Sequence, residues 1–191
     1  MANINDFKAR LAGGGARANQ FRVILPPPVG VVTAGINTEQ FSFLCKATSL
    51  PGQELTEIAV PFRGRNLYVA GEREFAEWTT MVFNDTDFAI RREMERWMNG
   101  INDTVNNTGA TNPADYRVDM IIQQLDRDDT VLHQYTLEGC FPRAIGAIEL
   151  AYDTNDAIEE FEITWRYDTF RVSGINPVSY THLTLPTICS V

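Results

Sequence analysis

VPFRGRNLYVAGEREFAEWTTMVFNDTDFAIRREMERWMN, residues 60–99, decides the fold of this 191-residue chain, because it runs from a strand pair through a long strand into a helix. Residues 56–62 and 66–69 read as two strands separated by Arg63-Gly64-Arg65. Residues 75–83 predict a longer strand in which Trp78, Thr80 and Val82 face one way, and Phe75, Thr79, Met81 and Phe83 the other. Asp85 or Asp87 then offers a side-chain acceptor to the free amides of a first helical turn. Ile90, Met94, Trp97 and Met98 fall at i, i+4, i+7 and i+8, a stripe that must bury against a sheet, while Arg91, Arg92, Glu95 and Arg96 cover the remaining surface. The principal helix is therefore expected near residues 88–99, closed by Gly100.

Upstream, Ile4, Phe7 and Leu11 have the spacing of a short helix that Gly13, Gly14 and Gly15 stop. Such a glycine run also suits a phosphate cradle, but the Gly-Lys-Ser/Thr that completes one is absent. Residues 21–25 predict a strand ended by Pro26, Pro27 and Pro28, and residues 29–38 a loop. Residues 40–46 alternate, with Phe41, Phe43 and Cys45 on one face of an expected strand, and Leu50-Pro51-Gly52 marks a turn. Downstream, residues 102–113 lack any period, and residues 117–125 and 130–137 form a hairpin through Asp126-Arg127-Asp128-Asp129. Residues 144–150 and 159–167 make a further pair; in the second, Phe161, Ile163, Trp165 and Tyr167 alternate with Glu160, Glu162, Thr164 and Arg166. Many strands, one helix and no βαβ alternation predict a mainly β fold, an antiparallel β-sandwich or barrel with one principal α-helix.

The net charge of −9 disfavours DNA binding by phosphate neutralisation, which needs clustered Lys and Arg. No apolar run approaches the roughly 18 residues of a membrane span, and residues 1–30 do not have the pattern of a secretory signal. Cys45 and Cys140 lie far apart with no partner at metal-ligand spacing, so both read as small buried hydrophobes. His133 sits in a strand pattern. HExxH, GxSxG and CxxC do not occur, and the aspartates at 126, 128, 129, 153 and 156 do not make an EF-hand loop, so they read as turns. These patterns predict no catalytic residue, no cofactor and no metal.

Four blocks in order carry a resemblance: NDFKARLAGGGARANQFRVIL (5–25), FLCKATSLPG (43–52), residues 60–99, and GCFPRAIGAIELAYDTNDAIEEFEITWRYDTF (139–170). Together they resemble the tail tube proteins of contractile-tailed, T4-like bacteriophages. The resemblance implies a non-enzymatic structural subunit of the virion, made in the host bacterial cytoplasm, whose copies form hexameric rings. Rings stacked head to tail would make a hollow conduit for genome ejection, with tail sheath, baseplate and tape-measure proteins as partners. DNA would pass without specific binding.

By position, residues 1–19 and an extended arm at 48–69 would supply contacts between rings. Gly13, Gly14, Gly15, Arg17, Arg63, Arg65 and Arg73 are the candidate interface residues. Glu159, Glu160 and Glu162 are candidates for an acidic lumen that repels phosphate. Tyr68 departs from the pattern, where a lysine is expected. A type VI secretion-like tube protein and a baseplate-proximal tube-like protein remain alternatives, and so does a small-ligand-binding β-barrel. VSYTHLTLPT (178–187) resembles a translated transposase sequencing adapter, so residues 178–191 are expected to be an artefact and residues 1–177 one tail tube domain.

Overall fold

The computed structural model describes residues 3–10, 15–31, 35–153 and 157–173. Its central strand is β7, Val131–Ile145, fifteen residues that belong to two sheet halves. The first part of β7 pairs with β6 (Val118–Leu125) on one side and β9 (Thr169–Val172) on the other, and β6 pairs in turn with β1 (Phe21–Ile24). The last part of β7 pairs with β8 (Glu160–Arg166), which continues to β5 (Trp78–Phe83) and β2 (Cys45–Thr48). Every one of these pairings is antiparallel, as the mainly β expectation required. Beyond Cys140, β7 keeps β8 as its only strand partner among the described residues.

Gly139 permits the change of partner. Its φ is +69°, its N–H donates to Asp119 Oδ1 at 3.0 Å, and the ladder to β6 slips at this point. A Cβ there would lie 2.8 Å from Asp168 Oδ2, the oxygen that accepts from Arg117 Nη1. The Arg117 guanidinium in turn lies over the rings of Tyr116 and Phe141, so one clamp ties the bend to both halves.

The core fills the space between the halves. Val23, Met120, Ile122 and Leu137 enter from one side, and Trp78, Val82, Phe161, Ile163 and Trp165 from the other, all essentially without exposure. Helix α3 (Ala89–Ile101) adds Ile90, Met94 and Trp97 through the expected stripe. Trp165 is the hub: its ring meets Phe41, Trp78 and Trp97 with centroids 6.3, 6.4 and 5.8 Å away. Each buried indole N–H is satisfied: Trp165 donates to Thr80 Oγ1, Trp97 to the Tyr116 carbonyl and Trp78 to that of Ser49.

Several expectations are corrected. Residues 40–46 are mostly helical: α2 spans Thr38–Leu44, because Asn37 Oδ1 accepts from the amides of Glu39 and Gln40 and starts a turn. Phe41 and Cys45 are buried four residues apart, whereas Phe43 points to solvent at 79% exposure. Neither Asp85 nor Asp87 caps α3. Its N-cap is Phe88 in the left-handed region, with no side-chain cap, and Asp85 instead binds Thr86 and Gln40. Gly100 does not close α3 but lies within it, where a Cβ would meet Val31 Cγ1 at 2.3 Å. The strand expected at 144–150 ends at Ile145, and β5 starts at Trp78 rather than at residue 75. Two short helices, α1 (Ile4–Arg10) and α4 (Pro113–Tyr116), complete the described elements apart from one strand pair.

Candidate functional site

That remaining pair, β3 (Glu54–Phe62) and β4 (Arg65–Glu74), forms a two-stranded ribbon that pairs with no other strand among the described residues. Its hairpin turns through Arg63 and Gly64, both with positive φ, the geometry that matches strand twist in a two-residue loop. Ile58, Val60 and Phe62 stand opposite Val69, Leu67 and Arg65, so one ribbon face is a continuous apolar strip. All five apolar residues on it are exposed, from 44% at Val60 to 67% at Phe62. An isolated hairpin is marginal in water, and an apolar strip of this kind marks an interaction surface. The projecting element differs from the 48–69 arm, since Thr48 lies in β2 paired with Thr80.

The structure separates the candidate arginines. Arg63 and Arg65 flank the ribbon tip, with the Arg63 guanidinium over the Phe62 ring. Arg73 lies eight residues down β4, about 26 Å away by strand rise, and donates to Gln53 Oε1 at the base. Arg17 and Gly15 belong to a third place, the end of β1 and β6, where Gln124 Nε2 donates to the Arg17 carbonyl. Gly13 and Gly14 lie outside the described residues, as does the 178–191 segment.

Of the candidate acidic residues, Glu160 and Glu162 lie on β8 and Glu159 just before it. Glu160 and Glu162 are exposed on the outer face, opposite the buried Phe161, Ile163 and Trp165. Lys46 of β2 reaches Glu160 and sits over the Phe83 ring between them. Asn84 Nδ2 donates to Glu159 Oε2 at 2.8 Å, and Glu162 stands across from Met81. Arg166 shares the outer face, so this surface carries both signs, a balance hidden in the sequence because Lys46 lies over a hundred residues upstream.

Burial pushes the Cys45 and Cys140 thiols up to about 12, which keeps them protonated and poor as ligands or nucleophiles. His133 packs edge-on against Tyr135. Among the described residues, no three His, Cys, Asp or Glu side chains are grouped to hold a metal, and no helix is long and apolar enough to cross a membrane. A groove of about 1310 Å³ runs beside the second half of α3 and is lined by both apolar side chains and arginines.

The family profile described as "Phage tail tube protein" matches residues 16–173. The chain is 31% identical over 169 residues to the tail tube protein of Serratia phage KSP90, covering 87% of this chain and 95% of that protein. To the tail tube protein gp19 of Enterobacteria phage T4 it is 34% identical over 131 residues, 68% of this chain and 80% of that protein. The fold is shared with a chain of the anti-feeding prophage baseplate, at TM-score 0.60 and 13% identity over 85% of this chain and 98% of that one. It is shared too with a chain of the extended PVC sheath-tube complex, at TM-score 0.55 and 16% identity over 86% and 95%. A mainly antiparallel β fold, an unpartnered apolar ribbon and these matches agree: the chain belongs to the phage tail tube protein family, the structural subunits of phage tail tubes.

Proposed function

We propose that copies of this subunit close into six-fold rings and that the rings stack head to tail into a hollow conduit through which the phage genome leaves. The observation that carries this reading is the four-stranded run β7-β8-β5-β2, whose outer edges, β2 and the β7 stretch beyond Cys140, lack a partner on their far sides among the described residues. The two edges run antiparallel to each other, so the β2 edge of one copy can pair with the β7 edge of the next in the usual antiparallel ladder. Closing the ring this way removes exposed edges that would otherwise invite uncontrolled pairing.

In such a ring the outer face of this sheet lines the hole. Glu160 and Glu162 then face the passing polyanion, with Lys46 and Arg166 offsetting part of their charge, while Glu159, one residue before β8, alternates to the other side. A wall without clustered cations does not gain affinity by counterion release, so DNA slides instead of sticking. The ribbon, with Arg63 and Arg65 at its tip and Arg73 at its base, supplies contacts to neighbouring copies, together with the segment around Gly13, Gly14, Gly15 and Arg17. Stacking is heterologous, because an isologous contact would end after two rings. The work of the protein is mechanical and non-enzymatic, its place is the virion tail, and its further partners are sheath, baseplate and tape-measure proteins.

Electron microscopy of the purified protein tests the reading. Rings or tubes of uniform bore with six-fold averages are expected. A dispersed monomer at every concentration and salt condition refutes it.

A further inference from the structure

We propose that the exposed face of α2 in one copy, Glu39 and Phe43, seats in the groove beside α3 of the next copy around the ring. The proposal rests on the ring of joined sheet edges described above. It adds a second layer of contact behind the sheet, with named residues on both sides.

α2 and α3 lie on one face of the sheet. Phe41 of α2 and Trp97 of α3 both pack on Trp165 of β8, from the side opposite Glu160 and Glu162. They occupy opposite edges of that face. α2 leads directly into the edge strand β2, whereas the groove beside α3 takes part of its wall from Phe141 and Ile145 of the edge strand β7. When the β2 edge of one copy meets the β7 edge of another, α2 is brought to the groove mouth at the same depth behind the sheet.

The chemistry of the two surfaces is complementary. Glu39 and Phe43 are four residues apart, so they share one side of α2, and both are exposed. Phe43 at 79% exposure has no use inside its own subunit, where Phe41 and Cys45 already fill the core side. In the groove, Val31, Met98 and Ile101 give an apolar floor, and Arg92 and Arg96 stand four residues apart on α3, Arg96 already paired with Glu93 of its own helix. Of its two acids, Glu95 and Asp115, Glu95 is already tied to Arg91. An aromatic ring therefore meets an apolar floor, and a carboxylate meets the Arg92 guanidinium. Buried aromatic anchors ringed by polar contacts are the usual centre of a protein interface.

Sedimentation velocity and negative-stain microscopy of wild type, Phe43→Ala, Glu39→Arg, and Glu39→Arg combined with Arg92→Glu test the seat. Phe43→Ala should raise the concentration for half-assembly by about tenfold to a hundredfold, the loss expected for exposing one large apolar side chain. The melting temperature of the dispersed subunit should not change, because Phe43 is already in solvent there. Glu39→Arg should impair assembly, and the added Arg92→Glu should restore it. Rings from wild type together with undiminished assembly of both single variants overturn the seat while leaving the ring intact. An unrescued Glu39→Arg refutes the charge contact, and failure of wild type to form rings at all overturns the ring and the seat together.

Discussion

Replacing Trp97 by alanine should remove a large share of the stability of the folded subunit. The indole is fully buried, meets Trp165 at 5.8 Å and donates to the Tyr116 carbonyl at 2.9 Å. Large-to-small changes at such sites cost about 3–5 kcal/mol through lost transfer energy and the cavity left behind. Orphaning the Tyr116 carbonyl adds little, because Tyr116 is half-buried and water can reach its neighbourhood. A loss of about 4 kcal/mol is expected, roughly 8–16 °C in melting temperature for a chain of this size. Trp97→Phe, which keeps most of the volume and loses the hydrogen bond, should cost about 1–2 kcal/mol. Urea unfolding followed by circular dichroism measures both, at concentrations low enough to keep the subunit dispersed, since assembly adds stability by mass action. A loss below about 1 kcal/mol for Trp97→Ala would refute the placement of α3 in the core.

Gly139→Ala should destabilise by about 1–3 kcal/mol, combining a left-handed backbone with displacement of the Arg117–Asp168 pair; a neutral result in the same unfolding assay removes the argument for the bend. Replacing residues 56–72 by a short glycine linker should abolish rings and tubes in the microscope while the melting temperature holds, and an unfolded product would place the ribbon in the core instead. Cys45 and Cys140 should resist iodoacetamide at pH 8 in the native state, since their thiols titrate near about 12; rapid alkylation at either, mapped by mass spectrometry, contradicts their burial. Deleting residues 178–191 should leave the melting temperature unchanged, and a substantial drop would give that segment a packed role.

Trp97 was legible because four apolar residues repeat over just more than two helical turns at i, i+4, i+7 and i+8, a period that strands cannot imitate. α2 was not, since seven residues make only two turns and its off-stripe Phe43 completes a false alternation with Phe41 and Cys45. The continuity of β7 was hidden by Gly139 and Pro142, residues that usually punctuate strands and here sit inside one. Of the candidate surfaces, the acidic run on β8 was readable from alternation alone, but its pairing with Lys46 depends on strand order, which no local pattern carries. Arg63, Arg65 and Arg73 looked like one cluster only because they are close in number. Strand extension then sets Arg73 apart from the other two.

The double membership of β7 also decides how the subunit carries a load. A pull along β7 that tries to slide one sheet half past the other acts on a strand held by β6 and β9 at one end and by β8 at the other. Such a strand cannot be peeled away one hydrogen bond at a time from a free end, because each end is anchored in a different ladder. The bonds are loaded side by side and must yield together, so the bend at Gly139 joins two patches of sheet into one tensile element that resists stretching.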